Sequence, residues 1–235
     1  MLALTCAFLI IDLAFWGATI IKVPEGGWFP LVVAAIIFTF MSTWKKGRNI
    51  LADHMKSSEL PLEKFMDDIS AQANVKESEI KRVEGTAVYM YSNPQGTPPA
   101  LLHNIKHNKV IHKNIIILSV QTTEEIPYVS QDERVEVKSV GDGFYQIVIR
   151  NGFTQGLNVP NILKNIDEDS LTLDMEETTF FLGKKRILPA DKETSRMAKW
   201  RDHLFGAMVR NQQPATTYFN LPPNRVVELG AQLEL

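Results

Sequence analysis

Gly26-Gly27-Trp28-Phe29-Pro30-Leu31-Val32-Val33-Ala34-Ala35-Ile36-Ile37-Phe38-Thr39-Phe40-Met41-Ser42-Thr43-Trp44 runs for 19 residues without a charge, and Lys45, Lys46 and Arg48 follow at once. At roughly 1.5 Å of rise per residue, a helix of this length nearly matches a hydrocarbon core about 30 Å thick. The basic cluster behind it, extended by Lys56, is the pattern that holds the end of a span on the cytoplasmic side. Working back, Leu2 to Ile21 is a second apolar stretch of 20 residues with one charge, Asp12. Lys22-Val23-Pro24-Glu25 separates the two, which predicts a tight helical hairpin with its turn on the far side of the membrane. A signal peptide would need a basic start, a shorter apolar core and a small-residue cleavage site, and the first stretch has none of these. The averages over the whole chain, 45% hydrophobic residues and a mean hydropathy of −0.08, conceal the hairpin. They pool residues suited to lipid with residues suited to water.

Working forward, residues 45–235 read as an ordinary globular sequence. Only Lys22 of the 25 basic residues, and only Asp12 and Glu25 of the 27 acidic ones, precede Lys45. The remainder is near neutral, which argues against a nucleic-acid partner. Cys6 is the sole cysteine, so neither an intrachain disulfide nor a Cys-rich metal site can form, and a reducing cytoplasm fits.

Residues 45–81 read as a polar helical connector. Ser57-Ser58-Glu59-Leu60-Pro61 opens a helix in which Leu62, Phe65, Met66 and Ile69 recur at helical spacing, and Asn74 to Lys81 is a charged hinge. The strand-forming run Thr86 to Tyr91 stops at Asn93-Pro94-Gln95-Gly96, a turn cluster. Pro98-Pro99 starts a helix through about Asn108. Asn114 to Val120 has the near-continuous Ile/Leu character of a strand buried on both faces. Gly141-Asp142-Gly143 joins strands Arg134–Val140 and Phe144–Arg150 as a hairpin. Val159 to Ile166 is a short helix, Thr178 to Leu182 a further strand, and the Pro222-Pro223 segment a loop feeding a strand at Val226-Val227. Strands alternating with short helices predict an α/β sandwich over residues 82–235.

Several of these segments together carry a resemblance. Gly26-Gly27-Trp28-Phe29-Pro30, Thr43-Trp44-Lys45-Lys46-Gly47-Arg48, Gly85-Thr86-Ala87-Val88-Tyr89, Leu102-His103-Asn104-Ile105-Lys106-His107-Asn108-Lys109-Val110, Gly143-Phe144-Tyr145 and Pro222 to Gly230 occur in the order found in the C-terminal part of the bacterial Kup (KUP/HAK/KT) potassium uptake transporters. The resemblance implies a fold class of an α-helical transmembrane hairpin over residues 1–44, two spans of a LeuT-like transporter core, followed by a cytoplasmic α/β domain. It implies a proton-coupled K⁺ symporter, multi-pass in the bacterial inner membrane, with residues after Trp44 cytoplasmic. The implied partners are potassium ion and proton through the full-length transporter, the lipid bilayer, and a second copy in a homodimer. Family members carry roughly ten more membrane helices upstream, with the cation site among them, so these 235 residues alone are expected not to transport K⁺. The alternative is a membrane-anchored regulatory or sensor module, in one form nucleotide-binding, that lacks a pore.

Asp12 is the strongest single site candidate. A carboxylate near the centre of a span costs at least ~2.5 kcal/mol on insertion scales, so it should face protein or water. It serves either proton handling and gating or helix packing, and the peripheral position of the last helices favours packing. His103 and His107 stand at i, i+4 with His112 nearby, a spacing that can place two imidazoles on one metal. Lys106, Lys109 and Lys113 make that segment cationic, with no acidic residue between Leu101 and Gln121, so no metal site is expected. His103, Asn104, Lys106, His107, Asn108 and Lys109 stand as ligand or interface candidates instead, and Arg225 joins them. Between Lys184 and Arg210 there are eight basic residues against three acidic ones. There Met197, Trp200, Leu204 and Met208 form a helical apolar stripe that either covers the sheet, the favoured reading, or lies on the anionic inner leaflet. No phosphate-cradling Gly loop and no nucleophile with its base occurs, so an enzyme is not expected and no cofactor is implied.

Overall fold

A computed structural model describes residues 2–57, 59–73, 80–166, 173–188 and 197–234. The N-terminal apolar stretch forms α1, Leu2–Ile20, and a π-helical turn over Val23–Gly27 leads into α2, Trp28–Ser57. Gly26, at φ +132°, interrupts the helical path between them, a conformation that glycine adopts without steric cost. By length and composition one helix among the described residues can cross a membrane, Val23–Asp53, and Leu4–Ile20 is apolar but shorter. Both present apolar side chains outward: Phe15, Trp16, Phe29, Phe38 and Met41 are all exposed. Lys45 does not end α2. The helix continues without a break through the basic cluster to Ser57, so the predicted connector begins as a rigid extension of the apolar span.

After α3, Leu62–Ala73, come β1 (Lys81–Met90), α4 (Pro99–Asn108), β2 (Val110–Thr123), β3 (Val135–Gly141), β4 (Phe144–Gly152), α5 (Val159–Lys164) and β5 (Thr178–Leu188). The chain closes with α6 (Lys199–Arg210), the single turn α7 (Ala215–Tyr218) and β6 (Val226–Glu234). Six strands form one sheet in the order β3-β4-β2-β1-β5-β6, parallel except for the edge strand β3. Residues alternate across it. Ile115 and Ile117 of β2 pack with Tyr89 and Phe181 under Leu62, Phe65 and Leu101 of α3 and α4. Ile116 and Leu118 face the opposite side, with Val88, Ile147 and Phe180 under Val159 and Leu163 of α5. Layers on both faces account for the unbroken apolar run in β2, since a parallel strand in such a sandwich meets no solvent.

The hairpin falls where the glycines require it. Asp142 and Gly143 take φ +52° and +77°, the positive pair that a two-residue type I′ turn needs between strands of right-handed twist. A Cβ at Gly143 would overlap the Lys113 carbonyl oxygen. β1 begins five residues before the predicted Thr86, because Lys81, Arg82 and Val83 also pair with the start of β2. A register shift at Gly85, φ +94°, makes that extension fit. Lys81 is thus a strand residue and not hinge, and Ile80 before it packs against the core; residues 74–79 of the expected hinge lie outside the described residues.

The expectation that α6 covers the sheet is overturned. Its buried face, with Met197 just before the helix, packs on α2 where the apolar span passes into the extension: Phe205 and Met197 cluster with Ile50 and Trp44, the Phe205 and Trp44 rings lying 5.6 Å apart. Gly47 makes the close approach possible, since a Cβ there would overlap the Phe205 ring. Arg201 completes the contact by donating from Nε to the Thr43 hydroxyl at 3.0 Å and from Nη2 to the Ser42 hydroxyl at 3.1 Å. Thr43 is fully buried there.

Candidate functional site

The sheet has one topological switch point. From β1 the chain steps through α4 to β2 and on to β4, then returns to place β5 on the other side of β1. Crevices outside the carboxyl ends of strands at such a reversal are where open α/β sheets take their ligands. A cavity of about 550 Å³ lies there, within the range of small-molecule sites. Tyr91 and Ser92, just past β1, and Leu182, Gly183 and Lys184 of β5 form its floor. Pro98, Pro99, Ala100 and His103 at the start of α4 form one wall, and Arg48 of α2 with Glu59 closes another.

The polar groups in this cavity are held from below. Tyr91 donates its hydroxyl to Glu59 Oε1 at 2.7 Å, and Asn93 Nδ2 donates to the same oxygen at 2.8 Å. Burial, and after it the Glu59 carboxylate, holds the Tyr91 phenol well above its ordinary value, so it remains a donor at neutral pH. Lys184 Nζ lies 2.6 Å from Glu228 Oε2 on the exposed rim. The Arg48 guanidinium lies 6.0 Å from the centre of the Trp44 ring, tying the cavity wall to the turn of α2 that receives Phe205. The lining mixes apolar side chains with the Arg48 guanidinium, the Glu59 carboxylate and Lys184 in its pair with Glu228, which suits a small ligand with both apolar and polar groups.

Among the residues singled out from the sequence, His103 alone lines the cavity. Its ring stacks on His107 at 5.5 Å, both exposed. Asn104 is buried and committed to the fold: its Nδ2 donates to the Tyr89 hydroxyl at 3.1 Å and to the Val110 carbonyl at 2.9 Å, and Asn108 donates to its Oδ1 at 2.7 Å. These bonds lock the end of α4 to the start of β2. Burial pushes the Tyr89 phenol up to about 12, with the Asn104 bond opposing the shift. Lys106 and Lys109 are exposed at the far end of α4, where Lys109 takes the left-handed cap at φ +57°. Arg225 sits half-buried before β6, away from the cavity lining. Asp12 is exposed on α1. Among the described residues no group of three or more His, Cys, Asp or Glu is placed to hold a metal.

His112 is half-buried, with its ring 5.9 Å from Phe181 edge to face and its buried Nδ1 without a hydrogen-bond partner among the described residues. Burial lowers its pKa from 6.5. The unfolded chain therefore takes up the proton more readily, and stability present above the unfolded pKa is lost as pH falls through the lower folded one. The urea midpoint of the chain in detergent is expected to fall between about pH 7 and pH 5, and His112→Leu to flatten that fall. An unchanged slope in the variant would remove His112 from the account.

Arg48, Glu59, Tyr91 and Lys184 could not be gathered from the sequence. Each reads locally as a stop signal, a turn residue or a strand end, and they meet only because the strand order reverses between β1 and β5.

The comparisons cover both parts of the chain. Residues 84–235 match the model of the K⁺ potassium transporter C-terminal domain, and residues 1–49 match that of the K⁺ potassium transporter integral membrane domain. The chain is 46% identical over 228 residues to a probable potassium transport system protein Kup of Myxococcus xanthus, covering 97% of this chain and 34% of that protein. It is 48% identical over 237 residues to a protein of the same description from Anaeromyxobacter sp. strain Fw109-5, covering 99% and 34%. A probable potassium transport system protein Kup 1 of Geobacter sulfurreducens is 45% identical over 232 residues, covering 99% and 36%. The chain thus spans about a third of the length of these curated relatives. No solved structure matches it. With the C-terminal domain model matched over residues 84–235, all but α3 and the first residues of β1 in the α/β sandwich, and the membrane model over α1 and the apolar part of α2, the chain belongs to the K⁺ potassium transporter family.

Proposed function

We propose that this chain is the C-terminal part of a proton-coupled potassium uptake symporter with a LeuT-like core in a bacterial inner membrane. In this reading residues 1–44 supply two membrane helices, 45–81 the connector, and 82–235 a cytoplasmic domain for assembly as a homodimer and for regulation. The observation that supports it is the match of the two family models to residues 1–49 and 84–235, with Kup relatives aligned along nearly the whole chain. The cavity supports the regulatory part. Arg48 stands in its wall and on the helix that continues the membrane span, so a ligand binding there would act on α2 directly. A membrane-anchored sensor without a pore would use the same cavity, and transport separates the two.

In a bacterium lacking K⁺ uptake, the 235 residues expressed alone are expected not to restore growth at limiting K⁺. Joined behind the upstream two thirds of the Anaeromyxobacter relative, in place of its own last third, they are expected to restore it. Rescue by the chain alone would overturn the partial-transporter reading. A correctly inserted chimera that carries no K⁺ would favour the sensor.

A further inference from the structure

We infer that the junction of α2 and α6 is a docking collar for anionic phospholipid headgroups of the cytoplasmic leaflet, with Trp200 and Lys199 entering the headgroup layer beside Lys46. The inference rests on the proposal that α2 crosses the bilayer with Lys45 inside. The two helices run side by side in the same direction, since Arg201 meets Ser42 and Thr43 while Phe205, one turn on, meets Trp44 and Gly47. α6 therefore stands along α2 with its first residues toward the membrane and does not lie flat on it. The depth of that end is fixed. The exposed apolar surface of α2 ends at Met41, 67% exposed, one residue before the Ser42 hydroxyl that Arg201 grips. Lys199 and Trp200 precede Arg201, so they reach the level where lipid gives way to headgroups.

Their chemistry fits that level. Trp200 is a large ring left 58% exposed, and tryptophan concentrates at membrane interfaces because its ring is apolar while its N–H needs a polar partner. The Arg201 guanidinium lies 6.0 Å from that ring's centre. On α2, Lys46 falls three residues after Thr43 and four before Ile50, flanking the face that α6 covers. Lys45, Lys46 and Lys199 are exposed, whereas Asp202, the acidic residue of α6, is buried. A basic rim without an exposed carboxylate on either contacting turn complements the negative cytoplasmic leaflet.

The test uses the full chain in vesicles with a Cys6→Ser background. Bimane is attached at Ala198→Cys, which leaves Lys199 and Trp200 in place, and separately at Phe38→Cys and at Gln212→Cys past the far end of α6. Nitroxide lipids labelled at the headgroup are expected to quench position 198 strongly and position 212 little, and nitroxides deep in the acyl chain to quench position 38. Quenching at 38 with none at 198 overturns the collar and leaves the span intact. No quenching at 38 overturns the span itself. Preference for charge is read separately. Headgroup-labelled phosphatidylglycerol is expected to quench position 198 about threefold more than labelled phosphatidylcholine at equal content, and Lys46→Gln/Lys199→Gln to bring that ratio close to one. Equal quenching by the two lipids in the unsubstituted chain would overturn the anionic preference.

Discussion

Gly47→Leu is expected to detach α6 from α2. The Phe205 ring is fully buried against the position a Cβ would take, so the longer side chain cannot be seated without moving one helix or the other. Overpacking of this kind costs about 1–3 kcal/mol, and here it falls on a single contact and not on the sheet. Backbone amides of α6 are expected to exchange roughly 10- to 100-fold faster, following the lost local stability, while those of β1 and β2 keep their protection. Gly230→Ala is the control: it lies on β6, in the same domain as α6 and outside the cavity lining, has a negative φ, and its added Cβ meets nothing within 4 Å. Unaltered exchange in α6 with leucine at position 47 would mean that the helix is held from elsewhere.

Asp12 gives the second large effect, and it separates two roles. In the chimera with the relative's upstream part, Asp12→Asn keeps the shape and the hydrogen-bonding capacity of the side chain while removing the titratable group. If Asp12 is a packing anchor, uptake normalised to membrane abundance is expected to change little. Asp12→Leu would strand the anchor's partner in an apolar setting, at a cost of about 1–3 kcal/mol, and abundance is expected to drop severalfold. Asp12 is exposed on α1. Normal abundance with near-zero uptake in Asp12→Asn would assign it to coupling and contradict the anchor.

What could be read from the residues alone was local in origin. Gly141-Asp142-Gly143 specified its hairpin through backbone freedom, and Pro98-Pro99 specified the start of α4 through a fixed φ and a missing donor. The Ile/Leu run within β2 announced burial on both faces, and the charge-free stretch closed by Lys45 announced the apolar part of α2. Partner choice over long separations was not legible. The apolar residues around α6 have the spacing of any amphipathic helix, and nothing in them says that Met197 and Phe205 lie on α2 and not on the sheet, or that Trp200 is left exposed. Arg201 and its acceptors are 158 and 159 residues apart. Asn104 looked like a free donor because a sequence cannot show that Tyr89 and Val110 already occupy it. The cavity depends on strand order, a property of the whole sheet, and so escaped a reading that moved along one segment at a time.

The central claim is that the α/β domain and its cavity hang from the membrane helix on the cytoplasmic side, with the Lys22–Glu25 turn outside. Its most direct test is cysteine accessibility in the chain free of Cys6, at two exposed positions, Glu25 and Gln131. On intact cells an impermeant maleimide is expected to label Glu25→Cys and to leave Gln131→Cys unmodified until the membrane is opened. Protection at position 25, or labelling at position 131 in sealed cells, would contradict the account.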